Sequence, residues 1–362
     1  MNNTVRLTEW AEERGMEYHR ALRLAKRGHL LGAKKVSDNW IVAEGAFVLE
    51  PPPAGKDARA QIMGKRLLHP RLPAVRASIR GRPIVITTYN YAGGSGKTTL
   101  ARDLAVLIAA AGSRTLLIDT DPQASLTQWI NDEVHASRPG LERTVHVTYT
   151  SSEEVPPLPD PFELDPQLHF IPSTMDLATL ERYLHSDPLQ IANLHDAIAH
   201  AGSGYDLVII DSPPSLGQIT VGNVVAADYV IIPVEGSAKG LEGLVSLIKN
   251  LAELQRLKSR SLRERRSISI ASLVPTRVES RLSFTEKLNA ALEQVSQKLF
   301  APLSPPLTAR PSAYTKATSE RTPLPLLPRR NGAVREAADE LRAVAKFVID
   351  QVVQREREAH GE

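Results

Sequence analysis

The chain has 362 residues, 42% of them hydrophobic and 23% charged, proportions that suit one large globular domain or two smaller ones. It has no cysteine, which excludes zinc–thiolate sites, iron–sulfur clusters and thiol catalysis. No apolar run nears the roughly 18 residues of a membrane-spanning helix, and the polar start Met1–Trp10, with Glu9, is unlike a signal peptide, so a cytoplasmic protein with no membrane partner is expected.

The net charge of +3 is unevenly spread: residues 1–82 hold 16 Lys/Arg against 8 Asp/Glu, and the remainder 28 against 33. A basic head on a mildly acidic body points to an anionic partner for the head. The plainer alternative is a solvated basic face followed by a loose linker.

In chain order, Leu7–Gly15 reads as a short helix with Thr8 as its cap, closed by glycine. Glu17–Arg27 reads as a second helix, ended by Gly28. Leu7, Trp10, Ala11, Ala21, Leu22 and Leu24 are the candidate small core. Ala33–Val36 and Trp40–Val42 flank Ser37-Asp38-Asn39 as a hairpin. Two helices, a glycine turn and a basic wing resemble the winged helix-turn-helix of excisionase and MerR-type proteins. That resemblance would bring His19, Arg20, Arg23, Lys26 and Arg27 to a DNA groove and Lys34 and Lys35 to phosphates. A small protein-docking domain is the rival reading of residues 1–50.

Pro51-Pro52-Pro53-Ala54-Gly55 breaks the pattern, and residues 51–82 read as a basic, Pro-rich linker with a short helix at Asp57–Leu67. From Pro83 apolar β-branched runs alternate with helical patterns. The strands are Pro83–Thr88, Arg114–Asp119, Leu207–Asp211, Tyr229–Val234 and Ser267–Val274. The helices are Thr98–Ala111, Ile191–Ala201, Gly240–Gln255, Phe284–Leu299 and Gly332–Gln354. This alternation predicts an α/β fold, a mostly parallel sheet covered by helices on both faces, over residues 83–354. Residues 131–166 read as an irregular insertion and 355–362 as a charged tail.

Tyr91-Ala92-Gly93-Gly94-Ser95-Gly96-Lys97-Thr98-Thr99 follows a strand and opens a helix, the context a phosphate loop requires. Its glycines allow backbone amides to turn toward phosphate oxygens, Lys97 adds charge between the β- and γ-phosphates, and the Thr98 hydroxyl suits Mg²⁺. Gly93, Gly94, Ser95, Gly96, Lys97, Thr98 and Thr99 are therefore the candidate ATP/ADP ligands. The Gly93-Gly94 pair resembles the deviant phosphate loop of the ParA/MinD ATPase family. Asp119-Thr120-Asp121-Pro122-Gln123 is similar to that family's D-x-D-P-Q motif, and Ile210-Asp211-Ser212-Pro213-Pro214-Ser215-Leu216-Gly217 to its Walker B segment. Ile232-Pro233-Val234 and Gly240-Leu241-Glu242-Gly243-Leu244 extend the likeness, which is strongest for the ParA branch.

The resemblance implies a P-loop NTPase fold and an ATPase that dimerises on ATP. Asp211 and Asp119 would serve Mg²⁺ together with Thr98, and Asp121 would orient the attacking water. The family's signature lysine falls at Ala92, which carries no charge. Lys239, at the start of a later helix, is the candidate substitute. Thr276, in Pro275-Thr276-Arg277-Val278, is placed beside adenine by the same resemblance. Glu279-Ser280-Arg281 is similar to the segment that carries nonspecific DNA contact in ParA relatives, with Arg329 and Arg330 as additions. The expected function is DNA partition or cargo positioning on the nucleoid, driven by hydrolysis that a ParB-like centromere-binding protein or a cargo adaptor stimulates. Repression of its own operon is a further expectation. The alternative is a nucleotide-switched DNA-binding regulator with little turnover, which Ala92 keeps open.

Overall fold

The computed structural model describes residues 4–13, 18, 21–22, 25, 30–36, 39–48, 82–130, 140–184, 188–201, 204–261, 267–279, 282–299 and 301–360. The N-terminal unit is a three-stranded antiparallel sheet with a helix. Strand β1 (Thr4–Arg6) leads into helix α1 (Leu7–Glu13), and strands β2 (Leu30–Val36) and β3 (Asn39–Val48) form the hairpin. The sheet order is β1-β3-β2. Helix α1 begins one residue before the expected cap, so Thr8 lies inside it. Glu9 reaches back instead, accepting the Arg6 N–H at 3.2 Å. Leu7, Trp10, Ala11, Ala21, Ala25 and Val42 form a separate core, with Leu22 packed against it.

The larger unit starts at β4 (Ile84–Thr88) and continues through α2 (Lys97–Ala110), β5 (Thr115–Asp119), α3 (Ser125–Ile130) and α4 (His146–Thr150). Next come β6 (Phe162–Asp165), β7 (Leu168–Ile171), α5 (Leu177–Leu184), α6 (Asn193–Ala201), β8 (Leu207–Asp211) and α7 (Gln218–Ala226). The chain closes with β9 (Tyr229–Glu235), α8 (Ala238–Ser261), β10 (Ser269–Thr276), α9 (Leu282–Leu299), α10 (Pro311–Ser319) and α11 (Gly332–His360). The seven strands run in the order β10-β9-β4-β8-β5-β7-β6. Every neighbouring pair is parallel except β6 with β7.

The side chains explain the layers. Along β4, β5, β8 and β9 the apolar residues alternate between two faces. Ile84, Ile86, Leu117, Leu207, Ile209, Tyr229 and Ile231 join α2 and α11 in one core. Val85, Leu116, Ile118, Val208 and Ile210 face α4 to α7, while Val230, Ile232 and Val234 face α8 and α9. A strand buried on both faces needs apolar residues at every position, which is why these runs do not alternate in hydropathy. Helix α2 lies under α11 and is buried from Leu100 to Ala109. It ends at Gly112, whose φ of +98° is left-handed.

Two regions differ from expectation. The region expected to be irregular contributes the antiparallel edge strand β6 and helix α4. Helix α11 runs on to His360, so the expected charged tail is helical instead. Burial holds it: Arg355 donates to Ile270 O at 2.8 Å, and Glu356 accepts the Tyr229 hydroxyl. The expected linker helix at Asp57–Leu67 lies outside the described residues.

Candidate functional site

Strand β4 is central, and the chain crosses to β5 on one side and to β9 and β10 on the other. In open α/β sheets the crevice at such a switch point, beyond the carboxyl ends of the strands, is the favoured ligand site. The Gly93–Thr99 turn stands there. Gly94 and Gly96 take φ of +74° and +98°, which glycine adopts without the clash a Cβ would bring. The turn is tethered at its start. Asn90 donates to Pro233 O at 2.7 Å and accepts the Ala92 N–H at 2.8 Å. The Tyr91 hydroxyl donates to Gly243 O in α8 at 3.0 Å. A turn roped to two neighbouring elements keeps its amides in one direction.

Lys97 opens α2 and is buried, with Nζ 3.0 Å from Ala92 O. Burial lowers its pKa, and the carboxylates of Asp211 and Asp121 oppose that shift. The start of α2 has no side-chain cap, so its first amides remain available to an anion. The buried Ser95 hydroxyl has no hydrogen-bond partner among the described residues.

Two strand-end carboxylates face each other: Asp119 of β5 is in register with Asp211 of β8. Asp211 is fully buried, and its pKa is pushed well up, chiefly by burial and then by Asp119. Hydrogen bonding from the Thr98 side chain opposes this. Its Oδ2 atom is buried with no partner. A buried carboxyl oxygen without a hydrogen-bond partner is costly, and a divalent cation would satisfy it.

Asp119 differs. Its oxygens accept Asp121 N at 3.0 Å, Thr127 N at 2.9 Å and the Thr127 hydroxyl at 2.7 Å. Burial still raises its pKa to about 7. Both oxygens are engaged by the turn that follows, so the geometry makes it an organiser of that turn more than an open ligand. Asp121 sits in the turn, with Oδ1 accepting Gln123 N at 2.9 Å and its carbonyl accepting the Ser173 hydroxyl at 2.6 Å.

A buried polar chain ties the loops together. Tyr149 donates to Asn223 Oδ1 at 2.7 Å. Asn223 Nδ2 lies 2.7 Å from the Thr120 hydroxyl and 2.9 Å from that of Ser212. Ser212 meets the Thr87 hydroxyl at 2.8 Å, and Thr120 donates to Asp211 O at 2.6 Å. The motifs do not single out Asn223 or Tyr149. An asparagine inside the apolar run Gln218–Ala226 is the one sequence signal that points to them.

The last wall comes from β10. The Thr276 hydroxyl donates to Ser95 O at 2.9 Å, and its methyl lies 3.6 Å from where a Gly96 Cβ would be. Its donor is therefore committed to the phosphate turn. Lys239, the second residue of α8, is exposed. The α8 start lies close to β9: a Cβ on Gly240 would meet Glu235 O at 2.2 Å.

Of the expected DNA contacts, Arg20, Arg23, Lys26, Arg27 and Arg281 lie outside the described residues. Lys34 and Lys35 stand on β2, paired with Ile41 and Trp40 of β3. Arg329 forms an ion pair with Asp339 at 3.0 Å, and Arg330 is exposed.

Residues 84–264 match a family described as an AAA domain. The chain is 35% identical over 280 residues to a probable plasmid-partitioning protein ParA of Thermus thermophilus, covering 76% of this chain and 81% of the relative. It is 30% identical to the maintenance of carboxysome distribution protein A of Synechococcus elongatus, over 49% of this chain and 68% of the relative. Among solved structures, a Cyanothece McdA(D38A)–ATP complex superimposes with a TM-score of 0.63 at 24% identity, covering 75% of this chain and 97% of that one, a likeness of fold. A Mycobacterium smegmatis cobyrinic acid a,c-diamide synthase with a bound ATP analog and magnesium gives 0.54 at 26% identity, over 71% and 93% of the two chains.

Proposed function

Since the chain belongs to the ParA family of P-loop ATPases, we propose that it is an ATP-driven switch that partitions DNA or positions a cargo. One observation carries this reading: the Gly93–Thr99 turn, the buried Lys97 and the unpartnered Asp211 oxygen meet at the carboxyl ends of the central strands. That donor set suits ATP with Mg²⁺. The turn's amides and Lys97 would hold the phosphates, and Thr98 and Asp211 would hold the metal. Bound there, Mg²⁺ would supply the partner that the Asp211 Oδ2 lacks and offset charge on the phosphates.

The residues do the rest. Asp121, aimed by the Gln123 amide, would orient the water that attacks the γ-phosphorus. Asp119 would keep that turn in place. Lys239 would contribute the cation that Ala92 cannot. Trans cations of this kind raise turnover by ~10³–10⁵, so without one the chain would be a slow enzyme.

ATP binding would join two copies, and two joined DNA surfaces bind far more tightly than one. The basic winged unit of residues 1–50 would read an operator, and the ATPase unit would hold nucleoid DNA until a ParB-like protein or cargo adaptor triggers hydrolysis. The positioning branch draws support from the relative that maintains carboxysome distribution.

Steady-state ATP turnover with Mg²⁺, DNA and the cognate partner tests this. Activity should be lost in Lys97→Ala and Asp121→Ala, and should fall at least about ten-fold in Lys239→Ala. Unchanged turnover in Lys239→Ala removes that residue from the reading. A parent that binds ATP yet turns over no faster with DNA and partner supports the second reading, a nucleotide-switched regulator, which Ala92 favours.

A further inference from the structure

The loop after β10 holds a residue with no role so far. Arg277 has φ of +53°, a backbone region that L-residues rarely enter. Its neighbours hold it there. Thr276 O accepts Gly236 N at 2.7 Å, and the Thr276 hydroxyl donates to Ser95 O. On the other side Val278 N donates to Leu307 O at 3.1 Å and Val278 O accepts Ala309 N at 2.9 Å. An unfavourable φ persists when the flanking structure over-determines it, and such outliers gather at ligand sites.

The result of that backbone is a placed guanidinium. Its Nη1, Nη2 and Cζ atoms lie 3.5, 3.7 and 3.9 Å from the position a Gly94 Cβ would take. Both nitrogens lie nearer than Cζ, so the nitrogen end of the fork faces the turn at Gly94. Gly94 is glycine for its own positive φ, and the guanidinium lies at van der Waals distance from where its Cβ would be. Arg277 is exposed, and among the described residues no carboxylate pairs with it. A guanidinium is charged at every working pH and offers a fork of donors that matches phosphate oxygens.

We propose that Arg277 is a nucleotide-binding residue. It lies on the phosphate turn at Gly94 and grips the polyphosphate of a bound nucleoside triphosphate from its own subunit. It adds a cation there beside Lys97. This rests on the nucleotide reading above, and it differs from the role given to Lys239, which stands on another element. Arg277 would set affinity, whereas Lys239 would set turnover.

The test is calorimetric titration of the full chain, with Mg²⁺, by ATP and separately by inorganic tripolyphosphate. Arg277→Ala and Arg277→Gly should each weaken both ligands by at least about ten-fold. Arg277→Lys should recover part of the loss, because charge returns without the fork. Arg277→Gly also controls for folding: glycine relieves the positive φ, so its unliganded Tm should equal or exceed the parent's while affinity falls. ATP affinity within about two-fold of the parent in both variants overturns the proposal. So does a loss for ATP with none for tripolyphosphate, which would assign the guanidinium to the base. A parent that binds neither ligand overturns the nucleotide reading itself, an outcome distinct from a parent that binds and variants that bind equally well.

Discussion

Asp211 shows how one residue can be both a cost and a tool. Its Oδ2 is buried without a donor, and Asp119 and Asp121 add like charge nearby. Removing the charge should relieve the unliganded protein and disable the liganded one. Asp211→Asn is therefore expected to melt above the parent without ligand, by a few degrees. It should also lose the further rise in Tm that the parent shows with Mg²⁺ and ATP. Thermal melts with and without the ligand pair check both halves, and a variant that melts lower yet keeps the ligand-induced rise contradicts them. Lys97 and Asp211 are legible in the sequence because each is fixed by a few residues on either side. Arg277 is not legible, since its importance lies in a backbone angle set by contacts with Leu307 and Ala309.

The elements couple the site to the fold through a few close approaches. Gly240 lets α8 start against β9, and Gly240→Ala would drive a Cβ into Glu235 O at 2.2 Å. That junction carries Lys239, so the substitution should cost about 1–3 kcal/mol in denaturant melts. It should also reduce turnover by displacing the lysine. Tyr149→Phe leaves Asn223 Oδ1 without its donor and should cost about 1–3 kcal/mol. A double variant with Asn223→Leu should cost less than the sum, because both partners then leave together. The central strands are legible to within a residue or two, since burial on both faces demands unbroken apolar runs. β6 escapes notice: as an edge strand of the pattern Phe-Glu-Leu-Asp, it has only one neighbour to satisfy. α10, Pro-Ser-Ala-Tyr-Thr-Lys-Ala-Thr-Ser, escapes because small polar residues give no clear 3.6-residue stripe. It buries only Ala313 and Ala317.

At the scale of the molecule, the small N-terminal cluster shares no residue with the large ones among the described residues. The N-terminal core uses residues from Leu7 to Val42 alone, and the three large cores begin at Ile84. A chain lacking residues 1–50 is therefore expected to keep its nucleotide affinity within about two-fold and lose salt-sensitive operator binding, read by fluorescence anisotropy. Among the described residues no helix is long and apolar enough to cross a membrane. The parallel run of β9, β4, β8 and β5 brings the phosphate turn, the two carboxylate strand ends and the α8 start to the carboxyl end of the sheet, the end a second copy would close over. The mass of the full chain in solution, followed by light scattering, tests this most directly. With Mg²⁺ and ATP it should double from the mass seen with ADP, and Lys97→Ala should abolish the change. A mass indifferent to nucleotide in the parent would contradict the account.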